Sequence, residues 1–278
     1  RLAQVERGSE DEAAFEFARY TELEALGRDA EAWASLERGN ALMHARLRDS
    51  EAARFDEDGL VEAIMAKASP GFLQPAADTE PPASAAHPQP IFIIGMPRSG
   101  STLLESRLGR HSHIASAGEL IEFHKLWRQC ADANGRAIVD PALLDAKADF
   151  AEVGRRYLEQ TRWRAQGRAW FIDKLPPNFW IAGFIRKALP QARILHMARA
   201  PMELCFSNWR AMFGDSYPYS YDQQALAAHH ARYRRLMRHW HDAMPGVIHD
   251  IDYAALVADP EATLRAALAH LGLEFEAS

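Results

Sequence analysis

A short apolar run at residues 91–94 leads directly into a glycine-bounded loop and then into the start of a helix. The run is rich in β-branched residues, which predicts a strand buried on both faces. Gly95 and Gly100 bound the loop, and backbone N–H groups together with a helix dipole favour an anion at such a junction. We predict that five residues bind a phosphate or sulfate group: Arg98, Ser99, Gly100, Ser101 and Thr102.

The residue after the second glycine separates this loop from those of nucleotide hydrolases. Those loops carry a lysine there, whereas this chain has Ser101, and its loop cation is Arg98. The loop is therefore expected to bind something other than the β/γ end of a nucleoside triphosphate. Two alternatives stay open: a P-loop small-molecule kinase, with Asp173 as the nearest magnesium ligand, and a non-catalytic scaffold that retains the pocket.

Three more polar residues lie just after predicted strands, namely Glu119, Lys174 and Arg199. In open α/β sheets, ligands lie at the carboxyl ends of the strands. Ser207 follows Arg199 by eight residues on the next helix, so a guanidinium and a hydroxyl are placed to clamp a phosphate monoester. Lys174 could instead pair with Asp173 as an ordinary surface lysine, and Glu119 could cap the helix that follows it.

Composition limits the class of protein. The 278 residues are 48% hydrophobic and 25% charged, with a net charge of −6, which argues against general binding to nucleic acid. Two cysteines give no disulfide framework and fit a reducing compartment. No apolar run approaches the roughly 20 residues that span a bilayer, so we expect no membrane span and take a cytoplasmic location as the default. The first residue is Arg1, so we expect a piece of a longer protein.

The elements around these residues predict an α/β protein with a P-loop-like parallel sheet flanked by helices and an N-terminal helical extension. Residues 12–47 form a hairpin of two helices broken at Gly27, like one tetratricopeptide unit; a hairpin without repeat ancestry stays open. We expect a helical part at 1–73, a proline-rich linker at 74–90 and a nucleotide-binding domain at 91–278.

Within the nucleotide-binding domain we expect five strands and the helices between them. Further strands are predicted at 114–118, 169–172, 193–198 and 247–251, and helices at 101–110, 121–168, 179–189, 223–242 and near the end of the chain. Another helix is predicted at 55–73. Tyr217, Tyr219 and Tyr221 form either an acceptor-contacting lid or a packed turn. The histidine pairs at 111/113 and 239/241 are not expected to bind metal.

Several motifs resemble those of sulfotransferases that use 3′-phosphoadenosine 5′-phosphosulfate (PAPS). Residues 97–103 resemble their 5′-phosphosulfate loop, Arg199 and Ser207 resemble their 3′-phosphate site, and the run from Tyr253 to Pro260 resembles a C-terminal segment near the nucleotide. Residues 12–47 resemble the hairpin preceding the catalytic domain of repeat-linked sulfotransferases. The resemblance covers nearly the whole chain and is strongest to bacterial repeat-linked and tyrosylprotein sulfotransferases.

This resemblance implies a donor, an acceptor and residue roles. PAPS would be the donor and the nucleotide PAP the product, with no metal, and the acceptor would be a hydroxyl group on a protein or a small molecule. Glu119 matches the catalytic base of the tyrosylprotein enzymes, Lys174 the lysine at the transferring sulfonyl group, and Tyr253 a nucleotide contact. The family often has another basic, serine-containing loop near its C-terminus, which this chain lacks, so we expect that loop outside this stretch or an incomplete site. Homodimer formation is left open.

Overall fold

A computed structural model describes residues 6–50, 52–74, 88–132, 143–144 and 147–276 of the chain. The chain divides into two units, each of which combines segments that are distant in sequence. The first unit contains Arg1–Glu57 and Pro201–Arg232, and the second contains Asp58–Ala200 and Tyr233–Ser278. The predicted division into 1–73, 74–90 and 91–278 stays a prediction, and residues 75–87 of the expected linker lie outside the described residues.

The second unit is built on a parallel sheet of five strands, in the order β2-β3-β1-β4-β5. The strands are β1 (Gln89–Ile94), β2 (Ile114–Ser116), β3 (Trp170–Asp173), β4 (Arg193–Ala198) and β5 (Ile248–Asp252). The helices around them are α3 (Glu57–Lys67), α4 (Pro70–Leu73), α5 (Ser101–Leu108), α6 (Glu122–Cys130), α7 (Phe150–Thr161), α8 (Ala182–Ala188), α11 (Tyr253–Ala258) and α12 (Pro260–Leu271). This arrangement confirms the predicted fold class.

Strand β1 is central and buried on both of its faces. Residues 91–94 are completely buried. Ile91 and Ile93 belong to a core that includes Leu104 of α5 and Leu268 of α12. Phe92 points to the other face, where its ring lies 6.5 Å from Phe123 and 5.7 Å from Tyr157. Burial on both faces explains why the sequence of this strand is continuously apolar and not alternating.

The first unit contains the N-terminal hairpin, made of α1 (Glu10–Ala25) and α2 (Asp29–Leu47), together with α9 (Pro201–Trp209). Ser9 caps α1 by accepting from the N–H of Glu12 at 3.1 Å. The Asn40 side chain is buried and donates to the carbonyl of Trp209 at 3.1 Å, which joins α2 to the end of α9. The two-helix hairpin is as predicted, and its tetratricopeptide ancestry stays a prediction. Helix α10 (Gln223–Ala243) contributes residues to both units.

The structure differs from the sequence expectations in three helical stretches. The helix expected at 55–73 is interrupted, because the Ser69 side chain caps a new turn that starts at Pro70. The helix expected from Phe179 begins only at Ala182, because a 3-10 segment, Pro176–Ile181, comes before it. The stretch expected to be mostly helix at 121–168 contains α6 and α7, and part of it, residues 133–142 and 145–146, lies outside the described residues. Among the described helices, none is both long and apolar enough to cross a bilayer.

Candidate active site at the carboxyl ends of the strands

The loop after β1 has a backbone that few residue types adopt. Gly95, Arg98 and Gly100 have φ angles of 150°, 67° and 107°, and a positive φ at a non-glycine residue such as Arg98 is uncommon and concentrates at functional sites. Gly95 donates its N–H to the carbonyl of Pro176 at 3.2 Å, which fixes the loop to the turn after β3. Helix α5 starts at Ser101, and its first N–H groups lack intrahelical partners. This is the geometry of an anion site.

The loop is in contact with residues that follow β4 and β5. Arg199 donates from Nη1 to the carbonyl of Arg98 at 3.1 Å, and its guanidinium lies 4.3 Å from the centre of the Tyr253 ring. A Cβ added to Gly100 would lie 2.9 Å from Cε2 of Tyr253, closer than side chains tolerate, so only glycine fits beneath the ring. Residues from three predicted motifs are therefore brought together: Arg98 and Gly100 of the loop, Arg199, and Tyr253.

The remaining loop residues surround the start of α5. Ser99 and Ser101 are buried, whereas Thr102 is exposed. The Ser99 hydroxyl has no hydrogen-bond partner among the described residues, and an unsatisfied buried hydroxyl is costly unless something else pairs with it. The donor set of the loop thus fits a phosphosulfate group: exposed and buried hydroxyls, helix N–H groups and one arginine.

Glu119 and Lys174 form an ion pair beside this loop. Lys174 Nζ lies 2.5 Å from Glu119 Oε1. The Glu119 side chain is 56% exposed and the Lys174 side chain only 10%, so the carboxylate faces solvent while the ammonium is held beneath it. Ile121, not Glu119, is the N-cap of α6, and no side chain caps that helix. The capping alternative for Glu119 is therefore wrong, and so is the pairing of Lys174 with Asp173, because Lys174 pairs with glutamates.

Asp173 is fully buried at the end of β3 and accepts a hydrogen bond from the Tyr157 hydroxyl at 2.7 Å. Burial raises its pKa to about 8, an effect that hydrogen bonds from Tyr157 and the Leu120 N–H only partly oppose. A carboxyl group that is completely buried and already bonded to Tyr157 is not open to a magnesium ion. This observation disfavours the kinase alternative, for which Asp173 was the nearest metal ligand.

Ser207 lies on α9 in the first unit and is partly exposed. Its pairing with Arg199 stays a prediction. In the same unit, the Tyr221 hydroxyl donates to the carbonyl of Gly214 at 3.0 Å and accepts from the N–H of Phe213 at 2.7 Å. These bonds, and burial of the Tyr221 ring, favour the packed-turn interpretation of that aromatic segment.

One cluster in the second unit was not anticipated. Asp250 accepts from His196 Nδ1 at 2.7 Å and from His241 Nε2 at 3.1 Å, and the three ligand atoms lie within 4.8 Å of one another, close enough for a metal ion. Burial alone would raise the pKa of Asp250, but the hydrogen bonds and charges of the two histidines lower it. The absence of a metal from the reaction stays a prediction.

Comparison with known proteins assigns the family. Residues 90–277 match the model of the sulfotransferase family. The chain belongs to the sulfotransferase family. The family region begins within β1 and extends through α12, so it includes every predicted site residue from Arg98 to Tyr253.

The curated relative is longer than the stretch that matches this chain. A protein of Aquifex aeolicus (strain VF5), named only as uncharacterized, is 31% identical over an alignment of 201 residues that covers 68% of this chain and 26% of that protein. The chain thus spans about a quarter of the length of the curated relative it matches.

Solved structures of sulfotransferases resemble this chain at low identity. The sulfotransferase domain from the curacin biosynthetic pathway is 20% identical with a TM-score of 0.48, covering 68% of this chain and 75% of that one. The sulfotransferase of Alicyclobacillus acidocaldarius is 19% identical with a TM-score of 0.46, covering 68% and 82%. Sulfotransferase STF1 of Mycobacterium tuberculosis H37Rv is 15% identical with a TM-score of 0.43, covering 97% and 84%.

Proposed function

We propose that this protein transfers a sulfonyl group from PAPS to a hydroxyl acceptor. The observation that carries the proposal is the meeting of three elements at one edge of the sheet: the anion loop after β1, the Glu119–Lys174 pair, and Arg199 stacked on Tyr253. The loop provides hydrogen-bond donors for an anion, and Glu119 provides a proton acceptor beside the Lys174 ammonium. Arg199 provides a second cation, which lies against the Tyr253 ring. Membership of the sulfotransferase family supports the same reaction class.

In this proposal the loop and its neighbours bind the donor. The 5′-phosphosulfate would lie on the loop and the first turn of α5, held by Arg98, Ser99, Gly100, Ser101 and Thr102. Arg199 and Ser207 would bind the 3′-phosphate, and Tyr253 would lie against the nucleotide. Guanidinium groups suit this task because they donate two parallel hydrogen bonds to phosphate oxygens.

The chemical step would then be an in-line displacement at sulfur. The acceptor oxygen forms a bond to sulfur, the bond from sulfur to the bridging phosphate oxygen breaks, and its electron pair leaves on the 5′-phosphate of PAP. Glu119 takes the acceptor proton, while Lys174 and Arg98 stabilise charge on the sulfonyl and bridging oxygens. Such loose transfers depend mainly on positioning and electrostatics, and a positioned base contributes about 10²–10⁴-fold.

The acceptor is proposed only as a class, a hydroxyl group on a small molecule or a protein side chain such as tyrosine. Glu119 is the observation that bears on it, since its exposed carboxylate is accessible to either. A screen of hydroxyl compounds and peptides with labelled PAPS would assign the acceptor.

Donor binding is the first test. PAP in EDTA is expected to raise the melting temperature, since ligand at 100 times its dissociation constant stabilises by about 2.7 kcal/mol, whereas ATP with magnesium is expected to have little effect. Equal shifts from ATP with magnesium would support the kinase, and no shift from either ligand would support the scaffold.

A substitution at Arg199 tests whether this residue binds the 3′-phosphate of the donor. Arg199→Ala is expected to weaken PAP by about 1.5–3 kcal/mol, and to weaken adenosine 5′-phosphosulfate, which lacks the 3′-phosphate, much less. Arg265→Ala is the matched control, because this arginine forms an exposed pair with Glu261 one helical turn away. Equal weakening of both ligands would show that the 3′-phosphate is assigned to the wrong residue.

A further inference from the structure

Glu105 is a buried carboxylate on α5, one turn after the anion loop, and it has no role in the chemistry proposed above. Only 8% of the residue is exposed. Its Oε1 accepts a hydrogen bond from the Ser116 hydroxyl and another from the N–H of Gly118, the latter at 3.2 Å. Both donors belong to the segment that carries Glu119. One oxygen of Glu105 therefore fixes the backbone on the N-terminal side of the proposed base.

The other oxygen of Glu105 faces the proposed catalytic lysine. Oε2 lies 3.9 Å from Lys174 Nζ, the atom that also donates to Glu119 at 2.5 Å. The Glu105 and Lys174 side chains are both about one-tenth exposed, whereas the Glu119 side chain is 56% exposed. Lys174 thus lies between two carboxylates, one buried and one open to solvent. A buried charge is tolerated only with such partners.

This arrangement answers a requirement of the transfer step. In the proposed step Lys174 stabilises charge on the sulfonyl oxygens, so its ammonium, which here donates to Oε1 of Glu119, has to turn from Glu119 toward the sulfonyl group. When it does so, Glu105 still provides a negative charge beside its side chain. The same residue also holds the Ser116–Gly118 backbone, so Glu119 does not move with the lysine.

We propose that Glu105 is a positioning residue for both reacting side chains, with one oxygen anchoring the Glu119 segment and the other retaining Lys174. This inference rests on the proposed sulfonyl transfer, because it assigns Glu105 a part in positioning the proposed base and the lysine that serves the sulfonyl group. It predicts that loss of the Glu105 charge lowers turnover and leaves donor affinity almost intact. A purely structural role would lower stability and act on all kinetic parameters together.

The test compares Glu105→Gln with Ser116→Ala. The glutamine retains an acceptor for Ser116 and Gly118 but removes the charge that faces Lys174, while Ser116→Ala removes one anchoring bond and keeps the charge. Glu105→Gln is expected to lower kcat by about 10²-fold, the size of effect that misplaced catalytic groups produce. The KM for PAPS and the affinity for PAP are expected to change by less than about threefold. Ser116→Ala is expected to lower kcat less than Glu105→Gln does.

A double-mutant cycle with Lys174→Met separates positioning from a general loss of structure. If Glu105 acts through Lys174, Glu105→Gln should have little further effect on the residual kcat of Lys174→Met, because contacting residues are not additive. Equal losses in both backgrounds, or a wild-type kcat in Glu105→Gln, would overturn the inference. If Glu105→Gln does not fold, Glu105→Asp replaces it, since it keeps the charge but shortens its reach, and a wild-type kcat there would equally overturn it.

Failure of the proposed function is recognised separately, on the wild-type protein. PAP binding and transfer from PAPS are measured first. A wild type that neither binds PAP nor transfers a sulfonyl group would overturn the proposed function, and this inference with it. A wild type that transfers normally, alongside a Glu105→Gln variant with unchanged kcat, would overturn this inference alone.

Discussion

Asp173→Asn should make the protein less sensitive to rising pH. The pKa of Asp173 is raised from 3.8 to about 8 because the carboxyl group is fully buried. Between these two values the unfolded chain carries an ionised aspartate while the folded protein carries a protonated one. Folding of the wild type therefore takes up a proton, and the associated stability is complete below about pH 4 and lost as the pH rises toward about 8.

The size of the effect follows from the two pKa values. Each pH unit within the window costs the wild type about 1.4 kcal/mol of unfolding free energy from this group. Between about pH 5 and pH 7 the loss is therefore roughly 2.7 kcal/mol. Asparagine has the same size, can still accept from Tyr157 and does not titrate, so the variant avoids this loss. The unfolding free energy of Asp173→Asn relative to wild type should therefore rise by roughly 2.7 kcal/mol between about pH 5 and pH 7.

Urea titrations of both proteins at about pH 5, 6 and 7 would measure this difference. Asp242→Asn is a control for net charge, since Asp242 is exposed in the same unit. The reasoning is refuted if the stability difference between Asp173→Asn and wild type stays constant across the series. That result would mean that Asp173 is already ionised in the folded protein.

Two further predictions concern the loop and the base. Gly100→Ala should destabilise the protein by about 2–4 kcal/mol, because a Cβ there meets the Tyr253 ring and φ is 107°. The control Gly246→Ala, with φ of 76° and open space around it, should cost only about 1–2 kcal/mol. Equal melting temperatures for the two variants would disprove the contact. Glu119→Gln should keep PAP affinity but lower kcat by about 10²-fold or more, and a near-wild-type kcat would remove Glu119 as the base.

The inner strands of the sheet could be predicted from the sequence because they are buried on both faces and are therefore mostly apolar. Residues 91–94 of β1 form a continuous apolar run, and β4 has the predicted bounds of Arg193–Ala198. Helix ends were less predictable, because they depend on local caps such as Ser69, which starts a separate turn within the helix expected at 55–73. The division of the chain into units was not visible in a linear reading, since the first unit joins segments that are far apart in sequence.

The sequence points to the candidate residues of the site but not to the contacts between them. Arg98, Glu119 and Lys174 follow strands, and the carboxyl ends of parallel strands share one edge of a sheet. The stacking of Arg199 on Tyr253 joins residues with no sequence pattern between them. Glu105 was missed, although a signal existed: it is a carboxylate beside Leu104, within the apolar side of a short helix, and a charge there needs a partner.

The central position of β1 has a consequence for how the protein folds. Gln89 pairs with Trp170 and Ile91 with Arg193, so β1 cannot join its neighbours until long intervening segments have been synthesised and brought back. Parallel sheets of such high contact order fold slowly. The anion loop leaves the end of this strand and is held by residues that follow β3, β4 and β5, so it becomes complete only when the sheet does. A donor bound at this loop, as proposed above, would therefore act on the finished sheet and slow its opening, and would not start folding.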